Sequence, residues 1–110
     1  MKDIIDLLYF AIFPKHYIGS SNGKRKLSNW SKQVRKRDKK CIICGSKHRL
    51  EAHHIKPKNQ HPRLTFSLEN GITICAKHHR LNQDSFHKVY GYRNYGKKEL
   101  SKWIKLHLTK

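Results

Sequence analysis

Two short motifs decide the fold, CIICG at residues 41–45 and CAKH at residues 75–78. In each motif two residues separate a pair of metal-binding side chains, which is the spacing of a zinc knuckle, and Gly45 permits the tight turn that a knuckle needs. Two matched pairs predict one tetrahedral structural Zn²⁺. Its ligands are Cys41, Cys44, Cys75 and His78.

Other interpretations of the cysteines are weaker. The chain has three cysteines, an odd number, and a pair this close in sequence is a poor start for a disulfide framework. A Cys2His2 finger would need a histidine where the chain has Pro57. Three buried free thiols remain an alternative, but they leave the matched spacing unexplained. Metal ligation in a reducing compartment fits better.

A zinc site also supplies stability that the composition does not. The 110 residues are enough for one domain, but only 36% are hydrophobic, whereas about 45–50% is usual. Apolar burial is therefore thin for so small a chain. Structural Zn²⁺ contributes roughly 10–16 kcal/mol of coupled binding and folding free energy, which offsets the thin core.

The charge predicts a polyanionic partner. The chain has 25 Lys and Arg against 7 Asp and Glu, a formal net charge of +18, which repels itself unless phosphates neutralise it. The excess is largest in Lys15–Lys40, where ten basic residues and Asp38 sum to +9. Nucleic acid is the favoured partner, although a ribosome-like basic surface has a similar composition.

The segment before the first knuckle predicts helices and a linker. Asp3–Phe13 has the apolar pattern of a short helix that packs on the domain or makes a dimer contact. Gly19–Lys26 has the composition of a flexible basic linker, and Ser28 is placed to cap a helix ending near Asp38. The inner side of this helix has Leu27, Trp30 and Val34, and its outer side has Lys32, Arg35, Lys36 and Arg37.

The segment after the knuckle predicts two strands and two helices. Strands are expected at Arg49–Ile55 and Gly71–Ile74, with a turn at Asn70-Gly71. A helix should run from about Ala76 to Val89, followed by a loop at Gly91–Gly96. A terminal helix then presents an apolar face formed by Leu100, Trp103, Ile104 and Leu108.

These elements predict an α+β fold in one compact domain. Residues 1–40 supply the N-terminal helix, linker and basic lead-in helix, residues 41–90 the zinc-containing core, and residues 91–110 the C-terminal helix. The apolar stretch Ile4–Phe13 is only about ten residues, too short to cross a bilayer. It also follows acidic Asp3 rather than a basic leader. We therefore expect a cytoplasmic protein with no membrane partner.

Four polar residues have no structural task once zinc has its ligands: His53, His54, Asn70 and His79. Hydrolysis of a phosphodiester needs a base to deprotonate water, a cation to neutralise the phosphate, and stabilisation of the departing 3′ oxygen. Imidazole suits the first task because its pKa is near neutrality, and a divalent ion suits the other two. The residues predict a catalytic site, although the two adjacent histidines could also belong to an ordinary polar strand.

The stretch LEAHHIKP at residues 50–57, followed by Asn70 and His79, closely resembles the HNH endonuclease motif. The resemblance implies a small ββα-metal (HNH) core around one catalytic divalent ion, Mg²⁺, Mn²⁺ or Ni²⁺. It gives His53 and His79 the role of ligands to this ion, His54 that of general base, and Asn70 that of orienting the loop that carries the base. It also implies cleavage of DNA to 5′-phosphate and 3′-hydroxyl ends.

The resemblance extends beyond this motif. Val34–Asp38 looks like the basic lead-in helix of the family, and Phe86-His87 with Tyr90-Gly91 and Asn94 looks like the tail of phage-encoded, homing-type members. One departure is His78, where many members have a fourth cysteine, and the spacing assigns it to zinc. The remaining histidines are each expected to be exposed or locally hydrogen-bonded: His16, His48, His61, His87 and His107.

We expect the DNA phosphates to be contacted by exposed basic residues, which set position rather than sequence preference. These are Lys24, Arg25, Lys26, Lys32, Arg35, Lys36, Arg37, Lys56, Lys58, Arg63 and Arg80. One active site per chain predicts a monomer or a weak homodimer. Two other functions stay open, a non-catalytic zinc-ribbon DNA-binding module and a phage packaging-accessory nuclease, which differs from a homing enzyme in its partners.

Overall fold

A two-stranded antiparallel sheet lies at the centre of the residues described. The computed structural model describes residues 23–108, with side chains from residue 26 onward. Its elements are helix α1 (Gly23–Asp38), strand β1 (Leu50–His54), two 3₁₀ turns (Pro62–Leu64 and Leu68–Asn70), strand β2 (Gly71–Cys75), a π-helical turn (Lys77–Leu81), helix α2 (Phe86–Tyr90) and helix α3 (Lys97–Leu108). The α+β class is confirmed. The predicted helix at Asp3–Phe13 lies outside the described residues, and the division into domains stays a prediction.

The strands form within one or two residues of their predicted bounds. In the antiparallel register, Leu50 lies opposite Cys75 and His54 lies opposite Gly71. All five residues of β2 are buried, because helix α1 packs against the hairpin through Trp30 and Val34. The hairpin therefore carries the histidine pair at one end and Cys75, a predicted zinc ligand, at the other.

Gly71 has a different role from the one predicted. Its backbone is extended, with φ −122° and ψ 145°, so it is not a turn residue. A Cβ at this position would lie 2.6 Å from Val34 and 2.7 Å from Trp30. Glycine is needed here because α1 lies directly against the strand, and the turn is made instead by residues 68–70.

Helix α1 begins earlier than expected. It starts at Gly23 rather than at Ser28, so residues 24–26, predicted as part of a flexible linker, are helical, as good helix formers allow. The predicted end at Asp38 is confirmed.

Arg37 and Asp38 fasten the end of α1 to the sheet. Arg37 donates to the carbonyl oxygens of Leu68 and Gly71 at 2.8 and 2.7 Å and pairs with Asp38. The Asp38 carboxylate in turn accepts the Thr73 backbone N–H. Arg37 was predicted to lie on the outer side of this helix, but its guanidinium is engaged within the fold. Its contact with DNA stays a prediction.

The long helix predicted at Ala76–Val89 does not form. The chain makes the π-helical turn, breaks at residues 82–85, and resumes as α2. Ser85 precedes α2 with extended backbone angles, and the Asp84 carbonyl accepts a hydrogen bond from the Trp103 indole of α3. Tertiary packing thus stabilises a break that the apolar pattern alone did not indicate.

Helix α3 closes the main core. Leu100, Trp103 and Ile104 are buried with Ile72, Ile74 and Phe86, as the terminal-helix pattern predicted. Leu108 is the exception, because it is 47% exposed. Within residues 23–108, none of the helices is long and apolar enough to span a bilayer.

Candidate active site and metal centres

The first candidate metal centre joins the two cysteine motifs. The ligand atoms of Cys41, Cys44, Cys75 and His78 all lie within 4.8 Å of one another. The Cys44 and Cys75 sulfurs are 3.8 Å apart, whereas two thiolates on one tetrahedral Zn²⁺, with bonds of about 2.3 Å, are separated by about 3.8 Å. Burial raises the pKa of Cys75 to about 11, so a thiolate there needs a cation beside it. The group is compatible with a zinc site.

The knuckle turn prepares this geometry. Gly45 has φ +75°, and its N–H donates to the Cys41 carbonyl at 2.9 Å. The Ile43 N–H points at the Cys41 sulfur from 3.3 Å, and such a donor stabilises a thiolate. The local turn therefore positions Cys41 and Cys44 without needing contacts from Cys75 and His78.

The π-helical turn sends its two adjacent histidines to different groups. His78 Nδ1 lies 3.2 Å from the Cys75 sulfur, whereas His79 Nε2 lies 3.1 Å from His53 Nδ1. Single π-helical turns often occur at functional sites, where they change the direction of side chains. Here the turn lets consecutive residues serve two centres.

The second candidate metal centre contains three imidazoles, from His53, His79 and His87. His87 was expected to be only exposed or locally hydrogen-bonded. It does bond locally, since Nδ1 lies 2.6 Å from the Gly91 carbonyl oxygen, but it is buried and its ring also packs against both His53 and His79. The structure thus adds a histidine that the sequence analysis left aside.

The protonation of these rings suits a cation. His87 Nδ1 faces a carbonyl and His79 Nδ1 faces the Glu51 carboxylate at 2.7 Å. Because these oxygens only accept, both Nδ1 atoms carry the proton and both Nε2 atoms keep a lone pair. Burial lowers the pKa of His53, His79 and His87, and the neighbouring imidazoles lower that of His53 further. All three are therefore favoured in the neutral form that binds metals.

The donor spacing also fits an ion. With metal–nitrogen bonds of about 2.1 Å, two imidazoles on one ion bring their nitrogens to about 3.0–3.4 Å, and His53 Nδ1 and His79 Nε2 are 3.1 Å apart. The other nitrogen of His53, Nε2, is buried without a hydrogen-bond partner among the described residues. A proton on that atom leaves the Nδ1 lone pair directed toward His79.

Glu51 is a further member of this centre that sequence reasoning missed. Its carboxylate bridges His79 and Arg80, with oxygen–nitrogen distances of 2.7 and 2.8 Å. Burial acts to raise the pKa of Glu51, but the hydrogen bonds from Arg80 and His79 outweigh it and hold the pKa below its usual value. A carboxylate behind a histidine ligand fixes the ring and its tautomer. The acidic residue two positions before His53 was the available signal.

His54 lies beside this centre and faces a different partner. Its Nε2 is 2.9 Å from the Thr65 carbonyl oxygen, so Nε2 carries the proton and Nδ1 keeps the lone pair. Burial lowers the pKa of His54, and nearby Lys58 lowers it further, although the Thr65 hydrogen bond partly offsets both. The hydroxyl of Tyr95 donates to the His54 backbone carbonyl at 3.0 Å. The ring is thus a neutral base held in one tautomer.

Asn70 holds the loop that supplies the Thr65 carbonyl. Its Oδ1 accepts the Lys56 N–H at 2.9 Å, and its Nδ2 donates to the carbonyls of Lys56 and Leu64 at 3.0 and 3.2 Å. Thr65 follows Leu64 directly, so the buried amide ties the start of the loop between β1 and β2 to the segment that carries Thr65.

A cavity of about 470 Å³ unites these groups. Its lining includes His53, His54, His79 and His87 together with the exposed Lys58, Asn59, Tyr92 and Arg93. Gln60 donates to the Arg93 carbonyl at 2.8 Å, which connects the two loops that carry the exposed side chains. Arg93 and Tyr92 were not among the predicted site residues, because a loop position gives no periodic signal.

The predicted phosphate contacts are distributed unevenly. Lys32, Lys36, Lys58, Arg63 and Arg80 are exposed, and Lys26, Arg35 and Lys56 are half-buried. The side chains of Lys24 and Arg25, and His16, lie outside the described part of the chain. His48 and His61 are exposed, and His107 bonds locally to the Trp103 carbonyl one turn earlier, so all three agree with the expectation.

Comparison with known proteins agrees with this geometry. The family model described as HNH endonuclease matches residues 41–84, the segment that holds the zinc-type ligands, His53, His54, Asn70 and His79. The match covers less than half of the chain and supports a nuclease of the HNH type. The searches of curated proteins and of solved structures found no match. His87 lies just beyond the matched segment.

Proposed function

We propose that the protein is a metal-dependent DNA endonuclease in which His54 is the general base, and that it leaves 5′-phosphate and 3′-hydroxyl ends. The observation that carries the proposal is the fixed tautomer of His54 in the cavity that also holds the three-histidine centre. A base with its lone pair on Nδ1 beside a candidate cation site is the pairing that phosphodiester hydrolysis requires.

Each residue has a separable task in this reaction. His54 Nδ1 accepts a proton from the attacking water as the new phosphorus–oxygen bond forms and the bond to the 3′ oxygen breaks. His53, His79 and His87 would hold a divalent cation, which when bound supplies Lewis-acid stabilisation of charge on the phosphate and leaving oxygen. Glu51 keeps His79 oriented, and Asn70 keeps the Thr65 carbonyl in place behind His54.

The donor set discriminates among the three ions considered. Imidazole nitrogens suit borderline transition-metal ions, whereas Mg²⁺ prefers oxygen ligands and retains its waters. Three imidazoles therefore favour Ni²⁺ most and Mn²⁺ only weakly over Mg²⁺ as the activating ion, and the thiolate-rich centre favours Zn²⁺.

DNA is proposed to lie across the cavity and along the basic side chains around it. Lys58 and Arg93 are exposed in its lining, and Lys32 and Lys36 form the exposed face of α1. Arg80 is held by Glu51 but remains 42% exposed in its side chain, so it can contact a phosphate. Such contacts make binding strongly dependent on salt concentration.

The biological setting is proposed from the sequence. The tail at Phe86–Asn94 favours a phage homing-type enzyme acting in the host cytoplasm, as a monomer or weak dimer. With one base per chain, cutting both strands takes two copies or two encounters. The packaging-accessory alternative differs in partners, and a pull-down with virion assembly proteins distinguishes it.

The proposal is tested by plasmid cleavage with Mg²⁺, Mn²⁺ or Ni²⁺, with and without chelator, and by end-mapping of both strands. His54→Ala should lose about 10²–10⁴-fold in rate while folding and DNA binding are retained. His48→Ala is the matched control because His48 is exposed and outside the cavity lining. A wild-type protein that binds DNA but cuts it with none of the ions would instead be a non-catalytic zinc-ribbon module.

A further inference from the structure

His54 does not stand alone in the cavity wall but lies flat against an aromatic ring. Its imidazole and the indole of Trp30 have ring centroids 4.0 Å apart and planes only 6° apart. Trp30 comes from α1, whereas His54 is the last residue of β1. The parallel contact fixes the plane of the imidazole, and the hydrogen bond from Nε2 to Thr65 fixes its rotation within that plane.

Trp30 is itself firmly held. Its side chain is only 2% exposed, and its Nε1 donates to the Ser67 carbonyl at 2.8 Å. The edge of the indole lies against the backbone of Gly71, where an added Cβ would come within 2.7 Å of Trp30 Cζ2. The indole cannot tilt without moving β2 or the loop that also carries Thr65. The stacking contact with Trp30 and the hydrogen bond to Thr65 therefore hold His54 against the same loop and strand, which are themselves fixed.

We propose that Trp30 is a positioning residue for the reaction, fixing the His54 ring so that its Nδ1 lone pair is held in the direction of the attacking water. This inference rests on the proposed function of His54. Catalytic groups need support of this kind, because a hydrogen bond at one end of a ring leaves the other end free to swing, and a misplacement of about 1 Å can lower a rate about 10²-fold. A residue that only filled the core would not need a coplanar contact with the base.

The test compares substitutions that separate the stacked face from the packing volume. Trp30→Leu keeps an apolar side chain but removes the flat face, and Trp30→Phe keeps a flat ring but loses the hydrogen bond to Ser67. Val34→Ala is the matched control, since Val34 lies one turn later on α1 in the same small cluster with Trp30 and Leu68. All are assayed at a temperature where melting curves show each variant to be folded.

In single-turnover assays, Trp30→Leu should lower the maximal rate at saturating DNA and metal about 10–10²-fold. The DNA and metal concentrations that give half of the maximal rate should stay unchanged. Trp30→Phe should recover most of that loss, and Val34→Ala should keep the wild-type rate. Folded Trp30→Leu with the wild-type rate, or an equal loss in Val34→Ala, would overturn the inference.

A second readout does not depend on cleavage. In wild-type protein, the ring current of Trp30 should shift the His54 ring-proton NMR signals upfield, with a single tautomer protonated on Nε2. Trp30→Leu should remove the shift and mix the tautomers, while Val34→Ala should preserve both. Unshifted His54 signals in wild type contradict the inference, whereas wild-type inactivity, or cleavage by His54→Ala, contradicts the proposed function.

Discussion

The two candidate metal centres use consecutive residues, His78 and His79, yet they differ in almost every physical respect. The centre at His78 has three sulfur donors and one nitrogen, a complete tetrahedral set. The centre at His79 has three neutral nitrogens beside a cavity, which leaves positions for water and phosphate. A complete set of soft ligands holds its ion permanently and stabilises the fold. An ion with an incomplete set of protein ligands can exchange its remaining ligands during a reaction. This difference indicates that one turn of chain can serve stability and chemistry at once.

The largest expected effect separates the fold from the reaction. Cys75→Ala removes a buried ligand of the candidate zinc centre. The loss of roughly 10–16 kcal/mol of coupled binding and folding free energy exceeds the stability of a small domain. Circular dichroism should show an unfolded chain at room temperature. Lys77→Ala, on the exposed residue between Cys75 and His78, is the control and should melt normally. A normal melting transition in Cys75→Ala contradicts the structural role.

The next effect concerns the third imidazole. His87→Ala should weaken binding of the catalytic ion by at least about 10²-fold, a larger change than loss of a residue that only supports a ligand. The metal content of the Cys41–His78 centre should not change. Titration of Mn²⁺ or Ni²⁺ by calorimetry measures this affinity, with His61→Ala as the exposed control. If His87 only packs against the centre, His87→Gln will bind the ion as tightly as wild type.

Glu51→Gln should have a smaller effect in the same direction. The amide can no longer accept the His79 proton as a charged partner, so ion affinity should fall about 10–100-fold. Glu99→Gln, in the first turn of α3, is the control. Because Glu51 also holds Arg80, the salt dependence of DNA binding should be measured in parallel. Unchanged ion affinity would mean that the Glu51 carboxylate holds Arg80 in place but does not orient His79.

The pH dependence should be the mildest of these effects. Burial lowers the pKa of His54 from its ordinary 6.5, and a bound cation lowers it further, so the neutral base already prevails at pH 7. The maximal rate should stay level from about pH 8 to pH 7 and fall only below about pH 6.5. A rate that is already falling between pH 8 and pH 7 would show that a different group, with a higher pKa, is the base.

The sequence predicted the parts of the fold that local pattern and ligand spacing control. The strands at residues 50–54 and 71–75 follow from their composition, and the zinc-type group follows from two matched gaps. The break at residues 82–85 did not, because it depends on the contact of Asp84 with Trp103 from a distant helix.

The candidate site was predictable in its motif residues but not in their supports. His53, His54 and His79 line one cavity, and Asn70 braces the loop beside it, although their roles stay proposals. Glu51, Trp30 and Thr65 act through contacts between segments far apart in the chain, and no spacing rule identifies such pairs. His87 approaches the centre only because the chain breaks and turns before α2, a path that its distance from His79 does not reveal.

Metal analysis after dialysis against a chelator distinguishes a permanently bound ion from an exchangeable one. We expect the folded chain to retain one equivalent of zinc, to lose cleavage activity, and to regain it when Mn²⁺ or Ni²⁺ is added. Zinc loss with unfolding at the same chelator concentration that stops cleavage, or full activity after the exchangeable ion is gone, would contradict the division into a permanent and an exchangeable centre.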